Sequence, residues 1–212
     1  MKNQILGKCV IILCLAMILF SSCKKDFEKI ISSPINDTIS LKTDSIVVDQ
    51  FIKYTILQGQ HYCDKSVYAA TKYQQLSFKV KFDSSAIYQN VQPINQEDIN
   101  KLFGFSDNNA FHQVYSARFG WRWSNNALRL FAYVYNNGVR INKELGTVVI
   151  GAEINCAIKV TSSNYIFILN GTETLMPRES TTVTADGYKL YPYFGGDETA
   201  PHTISIWINE LK

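Results

Sequence analysis

The sequence predicts an antiparallel β-sandwich, and three observations carry that expectation. Apolar and polar residues alternate over several separate stretches, tight-turn signals fall between them, and only one short stretch has helical spacing. Leu76, Phe78, Val80 and Phe82 alternate with Ser77, Lys79 and Lys81, which on a strand puts the apolar set on one face. Ile204, Ile206 and Ile208 alternate in the same way with Ser205, Trp207 and Asn209. Leu128, Leu130, Ala132 and Val134 alternate with Arg129, Phe131, Tyr133 and Tyr135. Val148-Val149-Ile150, Ile154 to Val160 and Tyr165 to Leu169 supply further strands. Asn136-Asn137-Gly138, Asn170-Gly171 and Asp186-Gly187 tolerate the positive φ that hairpin turns require. Asn170-Gly171 would join Tyr165–Leu169 to Thr172–Met176. The one helical signal has Asn95 as cap, Glu97 and Asp98 in the first turn, Ile99, Leu102 and Phe103 as an apolar face and Gly104 at the end. It predicts a short helix in a connection between strands.

The 212 residues divide into three parts. Residues 1–22 read as a signal peptide: Lys2 and Lys8, an apolar run from Cys9 to Phe20, then Ser21-Ser22 before Cys23. That run is shorter than the ~20 residues of a membrane-spanning helix. Residues 23–45 are polar, contain Ser32-Ser33-Pro34, and read as a flexible spacer. Residues 46–212 form the sandwich domain. Without Lys2 and Lys8 the basic residues fall from 21 to 19 against 18 acidic ones, so the formal charge drops from +3 to +1. There is no basic stripe or Arg-rich arm, and nucleic acid is not an expected partner.

Leu19-Phe20-Ser21-Ser22-Cys23 resembles a lipobox, the cleavage and acylation signal of bacterial lipoproteins, with Phe20 where those proteins usually carry Leu. Lys24-Lys25-Asp26 after it is similar to lipoproteins of Bacteroidetes-type bacteria. The resemblance implies acyl chains on Cys23 and a cell-envelope protein held by lipid, with the outer membrane as the expected site. Cys9 and Cys14 would leave with the signal. Cys63 and Cys156 would then remain in an oxidising compartment, either as one disulfide or as two buried thiols.

The stretch Ser116-Ala117-Arg118-Phe119-Gly120-Trp121-Arg122-Trp123 is the most distinctive. As a strand it puts Phe119, Trp121 and Trp123 on one face and Ser116, Arg118 and Arg122 on the other, with His112 if the strand starts that early. The next strand must turn its aliphatic residues inward, which leaves Arg129, Phe131, Tyr133 and Tyr135 on the second face of the same sheet. Aromatic plates suit the apolar C–H face of a sugar. An Arg fork suits a carboxylate or sulfate. A glycan, including one that carries uronates, is therefore the expected ligand. Strands also favour aromatic residues whatever their role, so the same pattern fits a purely structural face.

Tyr188 to Ile206, with Phe194-Gly195-Gly196 and Ala200-Pro201-His202 ahead of the Ile-alternating strand, resembles the closing strand pair of concanavalin-like jelly rolls. That fold occurs in secreted polysaccharide lyases, hydrolases and glycan-binding modules. The resemblance implies two curved antiparallel sheets and a groove on the concave face. The groove would carry Arg118, Arg122, Arg129, Tyr133, Tyr135, Tyr191 and Tyr193.

Catalysis has thinner support. Hydrolases of this fold commonly use a Glu-x-Asp-x-x-Glu trio, which is missing, and the adjacent Asp197-Glu198 pair would diverge on a strand. A lyase needs a group to neutralise the uronate, a base and an acid. Arg118 or Arg122 could neutralise while His112 or His202 with a groove tyrosine such as Tyr133 moves protons. The Gln-x-His pair frequent in such lyases is replaced by contiguous Gln60-His61 and by His112-Gln113 in reverse order. His61, His112 and His202 have no metal-ligand spacing. No cofactor is expected. A structural calcium could use Asp107, Asp197 or Glu198 with carbonyl oxygens. No Gly-x-Ser-x-Gly, Walker or dinucleotide glycine pattern occurs. Three functions follow: a lipid-tethered glycan-binding module, a polysaccharide lyase or hydrolase using the same groove, and a structural or adhesion lipoprotein.

Overall fold

The computed structural model describes residues 50–212. The signal segment, Cys23 and the spacer lie outside them. Among the described residues, twelve strands form two six-stranded antiparallel sheets. The first has the order β1 (Ile52–Ile56), β12 (Ile204–Leu211), β3 (Gln75–Phe82), β8 (Ile154–Val160), β9 (Asn164–Leu169), β10 (Thr172–Pro177). The second has the order β2 (Ala70–Tyr73), β11 (Ala185–Leu190), β4 (Asn100–Ser106), β5 (Ser116–Ser124), β6 (Ala127–Asn136), β7 (Val139–Val148). No helix among the described residues is long and apolar enough to cross a membrane.

The expected alternation sets the inner faces. Leu76, Phe78, Val80 and Phe82 of β3 and Ile204, Ile206 and Ile208 of β12 face Phe119 and Trp121 of β5 and Leu128 to Val134 of β6 in one core. Phe78 meets Phe103 and Phe119 edge-on, with ring centres 5.2 and 5.5 Å apart. Phe119 meets Phe167 at 5.2 Å across the sheets. Such pairs each add about 0.5–1.5 kcal/mol beyond the area they bury.

Two of the expected turns are present. Asn137-Gly138 joins β6 to β7 with φ of 47° and 81°, and Asn170-Gly171 joins β9 to β10 with φ of 48° and 88°. Positive φ at both positions is the geometry whose twist matches the flanking strands. A third turn of this kind, Asn125-Asn126 between β5 and β6, was not anticipated.

Several expectations need correction. The predicted helix over Asn95 to Gly104 does not form. A one-turn 3-10 segment spans Pro93–Glu97, and Asn100–Ser106 is strand β4. The register of β4 against β5 slips between Lys101 and Gly104, so Leu102 and Phe103 both turn into the core. Their adjacency on the inner face of a bulged strand imitates half of a helical stripe. Asp186-Gly187 is not a turn but lies inside β11. There a Cβ on Gly187 would come 2.4 Å from the Ser106 carbonyl oxygen, so the glycine serves close backbone approach. Strand β7 ends at Val148, and Val149-Ile150 belongs to a turn. Strands β11 and β12, read as a closing pair, sit in opposite sheets. Of the two alternatives left open for Cys63 and Cys156, the structure has the buried free thiols.

One buried ion pair ties the sheets together near the end of β4. Arg178 Nε donates to Asp107 at 2.8 Å, with both side chains fully buried. Tyr165 donates to the same carboxylate at 2.6 Å, and Ser180 and Thr182 hydroxyls donate at 3.1 Å each. Burial pushes the Asp107 pKa up, but these hydrogen bonds and the Arg178 charge outweigh it and hold the carboxyl below its ordinary value. Asp107 is thus committed to protein partners.

Candidate ligand-binding site

The outer face of the second sheet carries a hollow of about 730 Å³. Strand pleating decides what lines it. On β5 and β6, Arg118 stands directly opposite Tyr133, and Ser116 opposite Tyr135. On β7, Arg140 is opposite Tyr135. The bulge in β4 returns Lys101 to this same outer face. Residues 192–194 then close one side: Tyr193 exchanges both backbone hydrogen bonds with Lys101, at 2.8 and 2.9 Å. Its ring stacks on His61 at 5.2 Å and 9°, and meets the edge of Tyr62 at 5.0 Å. The His61 ring is held by a 2.7 Å bond from Nδ1 to the Phe194 carbonyl.

Tyr133 forms the floor. The Arg118 guanidinium lies 5.3 Å from its ring centre and Lys101 Nζ lies 5.2 Å from it. Tyr135 meets the same ring edge-on at 5.8 Å. Arg118 is only 8% exposed, and its Nε has no hydrogen-bond partner. Gly104 makes that placement possible, because a Cβ there would come 2.4 Å from Arg118 Cβ and 2.2 Å from the Ala117 carbonyl oxygen. Burial pushes the Arg118 pKa down to about 10, so it remains a cation at neutral pH. Burial, then the Arg118 charge, brings Lys101 down to about 8, with Asp98 acting in the opposite direction and Arg140 in the same one. Burial and then hydrogen bonding to Tyr135 raise the Tyr133 pKa.

His112 borders the hollow from the loop before β5. The Tyr188 hydroxyl accepts the His112 backbone N–H at 3.1 Å and meets its Nδ1 at 2.9 Å. Burial, reinforced by Arg118, lowers the His112 pKa, which favours the neutral imidazole. Tyr62, Val67, Tyr68 and Phe111 stand at the mouth, all strongly exposed.

Of the expected site residues, Arg118, Tyr133, Tyr135, Tyr193 and His112 converge here. Tyr191 also borders the hollow, but its ring packs inward against Tyr54 and Phe103, at 5.9 and 6.0 Å. Arg122 and Arg129 share the outer face yet do not line the hollow. Arg122 is paired with Glu97 at 2.7 Å and lies over Phe131 at 4.8 Å, while Arg129 is paired with Glu144 at 2.7 Å. His202 is remote, with Nε2 at 2.9 Å from the Ser85 carbonyl. Of the carboxylates expected to hold calcium, Glu198 accepts from the Val91 and Gln92 N–H groups and Asn95, at 2.7–2.9 Å, and closes the 93–97 turn. Among the described residues no group of three or more His, Cys, Asp or Glu is placed to hold a metal.

Lys101, Arg140, Tyr188, Tyr62 and Phe111 were not anticipated. Phe111-His112 stands ahead of the Arg118 strand, and that proximity was the one available signal.

No protein-family model matches this chain, and no curated protein matches it in sequence. Solved structures do. The alginate lyase AlyC3 superposes with a TM-score of 0.53 at 10% identity, over 77% of this chain and 74% of that one. AlyC3 in complex with dimannuronate gives 0.51 at 10% identity, over 77% and 74%. A Bacteroides ovatus GH16 protein from a mixed-linkage glucan PUL, in complex with its G4G4G3G product, gives 0.52 at 9% identity, over 76% and 81%. At these identities the likeness concerns the fold. The domain is a concanavalin-like jelly roll, an all-β sandwich of two antiparallel sheets.

Proposed function

We propose that this chain is a lipid-tethered glycan-binding protein of the cell envelope, anchored through Cys23 to the outer membrane, with its ligand seated in the hollow over β4 to β7. The single observation that carries the reading is the lining. Tyr135, Tyr188 and Tyr193 offer aromatic plates around a floor of buried Tyr133; Lys101, Arg118 and Arg140 offer positive charge, and no carboxylate lines the hollow among the described residues. Ring faces together with fixed polar forks suit the apolar face and polar rim of a sugar. An acidic glycan, such as one bearing uronates, fits the charge. The likeness to AlyC3 with dimannuronate and to the glucan-bound GH16 protein supports the class, since those proteins hold saccharides on the same fold.

A second reading, a polysaccharide lyase, is favoured by one observation: His112 in contact with the Tyr188 hydroxyl at 2.9 Å, in the same hollow as Arg118. In that chemistry Arg118 would balance the uronate carboxylate while His112 took the C5 proton. The electron pair would form the C4–C5 double bond, the C4–O bond would break, and Tyr188 would protonate the leaving oxygen. A hydrolase lacks its paired carboxylates in this hollow.

Glycan-array binding, run beside absorbance of the unsaturated lyase product, separates these readings. Binding without product supports the module. Product that disappears in His112→Ala supports the lyase. Neither signal leaves the structural or adhesion role and contradicts the proposal.

A further inference from the structure

Arginine is rarely buried without an anionic partner, because removing a guanidinium from water costs several kcal/mol that hydrogen bonds must offset. The other arginines that are buried or partly buried obey this. Arg178 has Asp107, Arg122 has Glu97 and Arg129 has Glu144. Arg118 does not. Among the described residues its guanidinium has no ion pair; it lies over the Tyr133 ring, its Nε is unbonded, and it lines the hollow. Two further cations stand beside it rather than an acid. Lys101 shares the Tyr133 ring, and Arg140 reaches the Tyr133 hydroxyl, whose hydrogen bond raises the Arg140 pKa. Lys189 also borders the hollow but is already paired with Glu210. The carboxylates nearest these cations, Glu97 and Asp98, line a smaller adjoining depression that shares Lys101, Tyr133, Arg140 and Gly196 with the hollow; Asp98 offsets part of the charge of Lys101 and Arg140, and neither carboxylate pairs with Arg118.

We propose that Arg118, flanked by Lys101 and Arg140 above the Tyr133 ring, is a built anion subsite that takes one carboxylate or sulfate of an acidic sugar and thereby selects acidic over neutral glycans. The assignment rests on the glycan-binding reading of the hollow. It extends that reading by naming the group that is recognised and the three side chains that recognise it. An oxygen anion seated here would accept from the guanidinium where Arg118 lines the hollow, with the buried Nε–H beside it sensing the change, and the bound negative charge would relieve the mutual repulsion of three clustered cations. Gly195 fits the same logic, because a Cβ there would come 2.2 Å from Lys101 Nζ and push the ammonium out of place.

The test uses the Arg118 Nε–H as its own reporter. In 15N-correlated NMR of the lipid-free domain, inorganic sulfate and glucuronate are titrated separately, with glucose as the neutral control. The expected result is a saturable shift of the Arg118 Nε–H signal with sulfate, glucuronate or both, and none with glucose; which anion binds tighter identifies the recognised group. Lys101→Met and Arg140→Gln should each weaken that binding about tenfold, and Arg118→Lys should abolish the reporter while keeping the charge. Because the Arg118 variant can fail to fold, Lys101→Met carries the test by itself. Absence of a shift with either anion at roughly 100 mM, far weaker than a millimolar site, overturns the subsite. A neutral oligosaccharide that binds the hollow as well as its acidic counterpart also overturns the subsite and leaves glycan binding intact. Anion binding without affinity for any oligosaccharide does the reverse, retaining the subsite and removing the glycan reading.

Discussion

The Arg118 guanidinium sits 5.3 Å from the centre of the Tyr133 ring, and the two residues are direct cross-strand partners on β5 and β6. Side chains opposed on one face of an antiparallel pair lie within reach of each other. The ring therefore fixes the cation over the floor without neutralising it, and the charge stays available to a ligand. Tyr133→Leu should remove the ring beneath Arg118 and Lys101 and loosen both cations, weakening glycan binding by a few-fold to about tenfold. Tyr133→Phe should lose much less. Isothermal titration against the best ligand from the array checks both, and equal affinities in all three proteins would remove Tyr133 from the site.

Affinity for an acidic ligand should fall as pH rises through about 8, the pKa to which burial and the Arg118 charge bring Lys101. A lowered base is charged below that value and neutral above it, so the attractive charge is present at pH 7 and lost by about pH 9. The groups facing Lys101 are Arg118 on β5, Tyr133 on β6, Arg140 on β7, Tyr193 alongside and Asp98 before β4. A bound anion raises the lysine pKa, so binding near pH 8 should take up protons. Titration in buffers of different ionisation enthalpy measures that uptake, and Lys101→Met should flatten the profile.

Asp107→Asn should destabilise the domain by about 3 kcal/mol, because it leaves Arg178 buried without its counter-charge. The ligand affinity of the folded variant should be unchanged, since the pair lies outside the hollow. The Asp107 pKa is lowered on folding. Its contribution is then complete above the unfolded value near 3.8 and is lost as pH falls through the folded one. Urea midpoints at pH 7 and pH 3 should therefore differ more in the wild type than in the variant.

Gly104→Ala introduces a Cβ 2.2 Å from a backbone oxygen, so the β4–β5 pairing must shift. A loss of about 1–3 kcal/mol is expected, together with weaker anion binding because Arg118 is displaced. A variant as stable as wild type would show that the bulge absorbs the methyl group.

Much of this arrangement was readable from residues alone, where one side of a strand is buried and the other is not. Leu128 to Val134 and Phe119 with Trp121 went to the core as the alternation requires, and Arg118, Tyr133 and Tyr135 to the opposite face. The reading failed where that asymmetry is absent. Strand β4 is buried on nearly every side, and its bulge sets Leu102 beside Phe103, so its period of two vanishes and a helix looks equally good. Strand β7 fails for the opposite reason: an edge rich in charge, exposed along most of its length, shows no apolar stripe. The fate of each arginine was also illegible. Arg122, Arg129 and Arg118 follow the same local pattern, and only tertiary placement gives the first two an acid and the third none. Lys101 and His202 make the same point, since one reached the site through a bulge and the other was carried to the Ser85 loop.

Chemical-shift mapping of the uniformly labelled domain with an acidic oligosaccharide from the array tests the central claim most directly. The account predicts perturbations concentrated at Lys101, Arg118, Tyr133, Arg140 and Tyr193, on the outer face of the second sheet. Perturbations confined to the outer face of β3, β8 and β12, with the Arg118 signal unmoved, would contradict it.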